Sequence, residues 1–355
     1  MRTLSFLAPL ALFACNDSKT TDDGTAPDAD GFGDADTDTD ADTDTDADAD
    51  ADSDADTDTN PHPTCWDPGP DAPVTIEHTP ESFVFQGHPV LYTVPNNPRG
   101  MIFYFYGGGD LVQELSGDEQ VAMLWNLMVR EGYGIAATER SAPGGGAAWV
   151  WDRGGADARR MDALREQLIA DTALRDDTPT LLTGFSDGGI MAASFTSTAT
   201  AMGWPVFAAT SHSGVAGDAP NVPTMFVVTE HDKASAIGGI DRITRDMDRA
   251  SVEWVLLENP ERIVTPQVFE RHADWDQAKT EEVFDDLVAS GMIDAQGNRL
   301  VSDANIDQSI DDWTQSTSIR GAAIANARLT VVWATHRYTA YAIEQECNWI
   351  LDHTP

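Results

Sequence analysis

The segment GFSDGG, Gly184 to Gly189, sets one serine among glycines in the pattern G-x-S-x-G. A run with strand character (TPTLLTGF) enters it, and a run with helical character (GIMAASF) leaves it. A serine hydroxyl attacks a carbonyl carbon only when a neighbouring base takes its proton, so the side chain must stand clear of the backbone. A sharp strand-to-helix turn does this for Ser186. The turn is strained, small neighbours let the backbones pass, and the hydroxyl is raised above the sheet edge. The following helix directs its positive end at the same point, where negative charge is stabilised. The pattern alone is common; its place after a middle strand of an α/β alternation distinguishes it.

The elements that must hold this serine follow from the apolar patterning. Ser82 to Phe85 and Pro89 to Val94 read as a hairpin turning through Gln86-Gly87-His88, and Gly100 to Tyr106 (GMIFYFY) is a continuous apolar run of the kind buried strands show. Helix Asp118 to Glu131, strand Tyr133 to Thr138 and helix Ala156 to Ala173 come next, the last with Met161, Leu164, Leu168 and Ile169 on one face. Strand Thr180 to Gly184, helix Gly188 to Met202, strands Val206 to Thr210 and Thr224 to Val228, helix Ala236 to Ala250 and strand Val252 to Leu257 continue the alternation. A strand at Leu329 to Ala334 and a helix from Tyr338 to Asp352 close it. Strands alternating with helices predict an α/β fold, with a mostly parallel sheet flanked by helices. Residues 258–328 interrupt the last two strands with polar, helical sequence such as EEVFDDLVASGMID, and are expected to form a cap or lid.

With GFSDGG in this context, the sequence resembles the α/β-hydrolase superfamily, most nearly its secreted esterase and polyester-depolymerase branches, from about Ser82 to Asp352. The resemblance implies an oxyanion hole with donors from two places: the backbone N–H of Asp187, and the loop YGGG (Tyr106 to Gly109), where Gly107 and Gly108 let N–H groups approach. Esterases of this type usually have His where Tyr106 stands. It also implies an acid and then a histidine after the serine. The acid position just past strand TMFVV points to Asp232, with Glu230 and Asp218 as alternatives. Beyond Asp232 lie only His272, His336 and His353; His336 follows LTVVWA at once and precedes the last helix, the family's place for its base. His212 and His231 lack metal-ligand spacing and read as structural. The resemblance implies no metal and no organic cofactor. Tyr106, Trp149 and Trp151 are candidates for substrate contact, the tryptophans equally so for the core. The implied function is hydrolysis of an acyl bond, most nearly a carboxylic ester, outside the cytoplasm. A serine peptidase of the same fold, or a binding lipoprotein without chemistry, are the alternatives.

The rest of the chain bears on location and partners. Arg2 followed by the apolar Leu4 to Phe13 reads as a targeting signal, too short to span a bilayer, which takes about 20 helical residues. LFAC, Leu12 to Cys15, resembles the lipobox of bacterial lipoproteins, although Phe13 is an unusual residue there. The resemblance implies removal of residues 1–14, acylation of Cys15 and attachment to a membrane; Asn16 beside the cysteine favours the outer one. Several acyl chains give firm anchoring where a single one does not.

Residues 15–64 are dominated by Asp alternating with Ala or Thr and are expected to remain an extended tether. Calcium loops also need a turn glycine and a closing acid, and only DADGFGDAD, Asp28 to Asp36, comes near that. The net charge of -39 has two parts: residues 1–64 hold 18 Asp, Arg2 and Lys19, contributing -16, and residues 65–355 carry the other -23. Such a field argues against nucleic acid and polyanionic partners. Residues 65–355 form the expected hydrolase domain, whose ends Cys65 and Cys347 could join by a disulfide in an oxidising compartment.

Overall fold

A computed structural model describes residues 65, 79–107, 119–140, 149–150, 152, 154–214, 217–232, 234–270, 275–336 and 343–355. The signal segment, Cys15 and the Asp-rich stretch lie outside these residues.

The chain forms strands β1 (Glu81–Phe85), β2 (His88–Thr93) and β3 (Gly100–Phe105), then helix α1 (Glu119–Arg130), β4 (Tyr133–Thr138) and α2 (Ala156–Asp171). Strand β5 (Thr180–Phe185), α3 (Asp187–Ala201), β6 (Val206–His212), β7 (Thr224–Thr229), α4 (Ala234–Ala250) and β8 (Trp254–Asn259) complete the sheet, in the order β1-β2-β4-β3-β5-β6-β7-β8. Strands β3 to β8 are mutually parallel, while β2 runs antiparallel to both β1 and β4.

The reason lies in the side-chain period of two. Every residue of β3 is buried. Ile102 and Tyr104 face a core with Leu124 and Met128 of α1. Met101, Phe103 and Phe105 face the other side, with Met161, Leu164 and Leu168 of α2 and Phe195 of α3. Each such side chain contributes about 1.5–3 kcal/mol of burial energy, so a strand apolar on both faces is stable only between two helical layers.

After β8 the chain builds a helical body: a short 3-10 turn (Pro266–Phe269), α5 (Gln277–Ala289), α6 (Ile306–Ser316) and α7 (Ala322–Val332), before α8 (Ile343–His353) returns to the sheet. This overturns one expectation. Leu329 to Ala334 form no strand; 329–332 end α7, and the last strand among the described residues is β8, so the helical body follows it instead of interrupting the sheet. The run LTVVWA has strand-like composition, but Ala322, Ala325, Leu329, Val332 and Trp333 recur at helical spacing and fill a core with Val264, Phe269, Leu287, Ile310 and Trp313. Burial against that core, after the alanine-rich AAIANA, outweighs the strand preference of Thr-Val-Val.

Cys65 and Cys347 form a disulfide across 282 residues, with their Cα atoms 6.0 Å apart. Closing so long a loop restricts the unfolded chain by about 5.6 kcal/mol in the chain-entropy account. No helix among the described residues is long and apolar enough to cross a membrane.

Candidate active site

Parallel strands all end at one edge, and the loops leaving that edge converge. Ser186 stands there, between the last residue of β5 and the first of α3, with φ 55° and ψ -122°. A non-glycine residue at positive φ is strained and persists only where its surroundings enforce it. The surrounding glycines explain how the turn closes. A Cβ on Gly188 would collide with the carbonyl of Phe105 on β3, and one on Gly184 with the carbonyl of Gly188. The spacing of the motif is therefore that of two backbones passing where side chains do not fit.

Asp232 lies just past β7, its N–H donating to Thr229 O at 2.9 Å, and its side chain is fully buried. His336 comes from the end of the helical body and keeps 26% of its side-chain surface exposed. Its Nδ1 is 2.6 Å from Asp232 Oδ1 and its Nε2 is 2.8 Å from Ser186 Oγ. The carboxylate only accepts, so it selects the tautomer with the proton on Nδ1 and leaves Nε2 free to accept from the serine hydroxyl. The order along the chain is serine, acid, histidine, around a strained strand-to-helix turn on a parallel sheet.

The chain has the α/β-hydrolase fold.

No family model matches the chain, and no curated protein does. Some solved structures are similar at a distance: an arylesterase (12% identity, covering 55% of this chain and 78% of that one, TM-score 0.38), a ferulic acid esterase (8%, 51% and 90%, 0.41) and an α/β hydrolase from a Medee basin deep-sea metagenome library (14%, 60% and 95%, 0.41). The match to a thermostable esterase spans 54% of that protein's length.

Around this hydrolase-fold site, Gly107 leaves β3 so close to the elbow that an added Cβ would meet Phe185 and Ser186 at 3.2–3.4 Å. Asp187 opens α3, where first-turn N–H groups have no partner inside the helix. Gly108 and Trp151 lie outside the described residues, as does His272. Tyr106 and Trp149 depart from the expectation of substrate contact: they are 6% and 2% exposed. Trp149 packs edge-on against Phe105 in one core, its indole N–H donating to Tyr106 O at 2.9 Å, while the Tyr106 ring belongs to the core on the other face with Tyr104 and Leu124.

The alternatives named from sequence go elsewhere. Glu230 accepts from the N–H of Glu261, and Asp218 is exposed in a separate loop. His353 pairs with Trp349 O and Glu253 at the end of α8. His212, the last residue of β6, is bonded to buried Glu346 of α8 at 3.0 Å, which fastens that helix under the elbow.

Sequence reasoning missed Arg140. It follows β4, is 8% exposed and approaches the Asp187 carboxylate at 3.5 Å, holding the residue that starts α3. An arginine two residues beyond a fully buried strand was the available signal. Among the described residues, no cluster of His, Cys, Asp and Glu is grouped as for a metal ion.

Proposed function

We propose that this protein is a serine hydrolase that cleaves acyl bonds, carboxylic esters foremost, with Ser186 as nucleophile, His336 as general base and Asp232 as its orienting acid. The observation that carries this reading is the continuous hydrogen-bonded chain from Ser186 Oγ through both ring nitrogens of His336 to Asp232 Oδ1.

In the reaction, Ser186 Oγ attacks the acyl carbon as His336 Nε2 takes its proton. The imidazolium so formed is stabilised by the buried Asp232 carboxylate, and it returns the proton to the departing alcohol. Water then attacks the acyl-enzyme by the same route and frees the acid and the serine. The developing oxyanion would be met by the N–H of Asp187 and by the Gly107–Gly108 segment, each donor contributing about 3 kcal/mol. The helical body that follows β8 serves as a cap, since Glu261 and Arg299 reach the loop that bears Asp232. The net charge of the domain favours neutral over polyanionic substrates.

The test is a panel of chromogenic esters and peptides with a fluorophosphonate probe. Ester turnover with stoichiometric labelling of Ser186 is expected. Labelling elsewhere, or peptide cleavage without ester cleavage, would reject the assignment.

The same reading places the protein on the outside of a cell, attached through Cys15. The lipobox-like LFAC and the disulfide, which forms in oxidising compartments, support it. Cys15→Ser is expected to move the protein from the membrane to the soluble fraction or to leave the precursor unprocessed; unchanged membrane fractionation would remove the anchor.

A further inference from the structure

At the seam between the helical body and the loop bearing Asp232 lies a charged cluster to which the proposed chemistry gives no task. Three consecutive residues of that loop are each tied across the seam. Glu230 Oε2 accepts from the N–H of Glu261 at 2.7 Å, and its own N–H donates to Asn259 O at 3.0 Å. The N–H of His231 donates to Ala334 O at 3.0 Å, two residues ahead of His336, while its ring Nε2 donates to Glu261 Oε2 at 2.6 Å. Asp232 then meets His336 itself.

Arg299 holds the cluster from the far side. Its Nε and Nη2 donate to the two oxygens of Glu261 at 2.8 and 2.7 Å, and Nη2 also reaches Asp303 at 2.6 Å. Its side chain is only 9% exposed and that of Glu261 23% exposed, so this fork is shielded from water over much of its surface. The Arg299 guanidinium, aided by His231, holds the Glu261 carboxyl below the usual carboxylate range, and Glu261 in turn raises the basicity of Arg299. The fork is a charge-assisted, two-point contact, which fixes orientation as well as distance.

Such a device has a reason to exist here. His336 is carried by a helical body with its own core, and its ring reaches back to Phe185 at the end of β5, to Ser186 and to Asp232, so the seating of that body on the sheet bears on its distance from Asp232. We propose that Glu261 and Arg299 are positioning residues: through His231 and Glu230 they register the helical body on the acid loop and so set the His336–Asp232 contact. This rests on the reading of Ser186, His336 and Asp232 given above. Misplacement by about 1 Å at such a contact costs on the order of 100-fold in rate.

The experiment compares Glu261→Ala, Glu261→Gln, Arg299→Gln and Arg299→Lys in the full chain, by ester kinetics, by thermal unfolding, and by the imidazole proton of His336 in nuclear magnetic resonance spectra. Glu261→Ala and Arg299→Gln are each expected to lower kcat by about 10- to 100-fold with KM within about twofold. The double variant should lose little more than either, because coupled partners are not additive. Glu261→Gln, which keeps an acceptor for Arg299, should recover part of the rate. Arg299→Lys, which keeps the charge and loses the fork, tests the proposal even if the larger truncations fail to fold. The His336 Nδ1 proton should move upfield in each clasp variant, and it is read again in the Ser186→Ala background, where no turnover is needed. Unchanged kcat, a loss confined to KM, or an unmoved imidazole proton in folded variants would overturn the proposal. Persistent activity of Ser186→Ala alone would instead overturn the assignment of the nucleophile, with the imidazole proton still reporting on the clasp.

Discussion

Ser186→Ala is expected to remove nearly all ester turnover, on the order of a million-fold, while the protein stays folded. Ser186 Oγ is the only atom deleted, and its hydrogen bond is to His336, a side chain that remains partly open to water. The elbow itself is held by backbone contacts that the substitution leaves in place: the N–H of residue 186 donates to His212 O at 2.8 Å and its carbonyl accepts from Ile190 at 3.0 Å. Alanine at φ 55° meets much the same backbone strain as serine there, so thermal unfolding should shift by only a few degrees, as for roughly 1 kcal/mol in a domain of this size. Labelling by a fluorophosphonate should vanish together with turnover. Substantial activity in a folded Ser186→Ala protein would show that another residue does the chemistry.

The second large effect concerns His336. Removal of its ring takes away the acceptor for the serine proton and the Nδ1 contact of the buried Asp232 carboxylate, so His336→Ala should cost about as much turnover as Ser186→Ala. Combining the two should add little, because members of such a unit act together. His272 is the control, being the histidine that sequence reasoning set against it. His272→Ala should alter affinity or stability alone. The reverse pattern, with His272→Ala silent in catalysis replaced by a large loss and His336→Ala nearly harmless, would transfer the base to residue 272.

Much of this architecture is legible in the sequence because the central strands carry an unusually plain signal. GMIFYF and YGIAAT are apolar at almost every position and have no room for a helical face, and both are strands lying side by side in the sheet. The elbow is legible for a different reason: backbone collisions at Gly184 and Gly188 constrain residue type directly. LTVVWA misleads because its helical role is set by a core whose residues reach back to Val264, which local composition does not report. His336 nevertheless stands beside Ser186 and Asp232, although the element that leads to it is a helix and not the strand expected. Trp149 shows the limit for aromatic residues in loops: only packing against Phe105 decides between cleft and core. The Glu261–Arg299–His231 cluster joins residues 38 and 30 positions apart, with no spacing that a sequence would reveal.

The separation of parts along the chain also has a consequence in time. All the described strands are complete once Asn259 has been made, and Ser186 precedes His336 by 150 residues. At a synthesis rate of about 5–20 residues per second, Ser186 exists for roughly 8–30 s before His336 does. The disulfide partner Cys347 comes later still, 282 residues after Cys65. A growing chain therefore carries every described strand and Ser186 well before it carries His336, and His336 is made in nearly the same stretch as the cysteine that closes the disulfide.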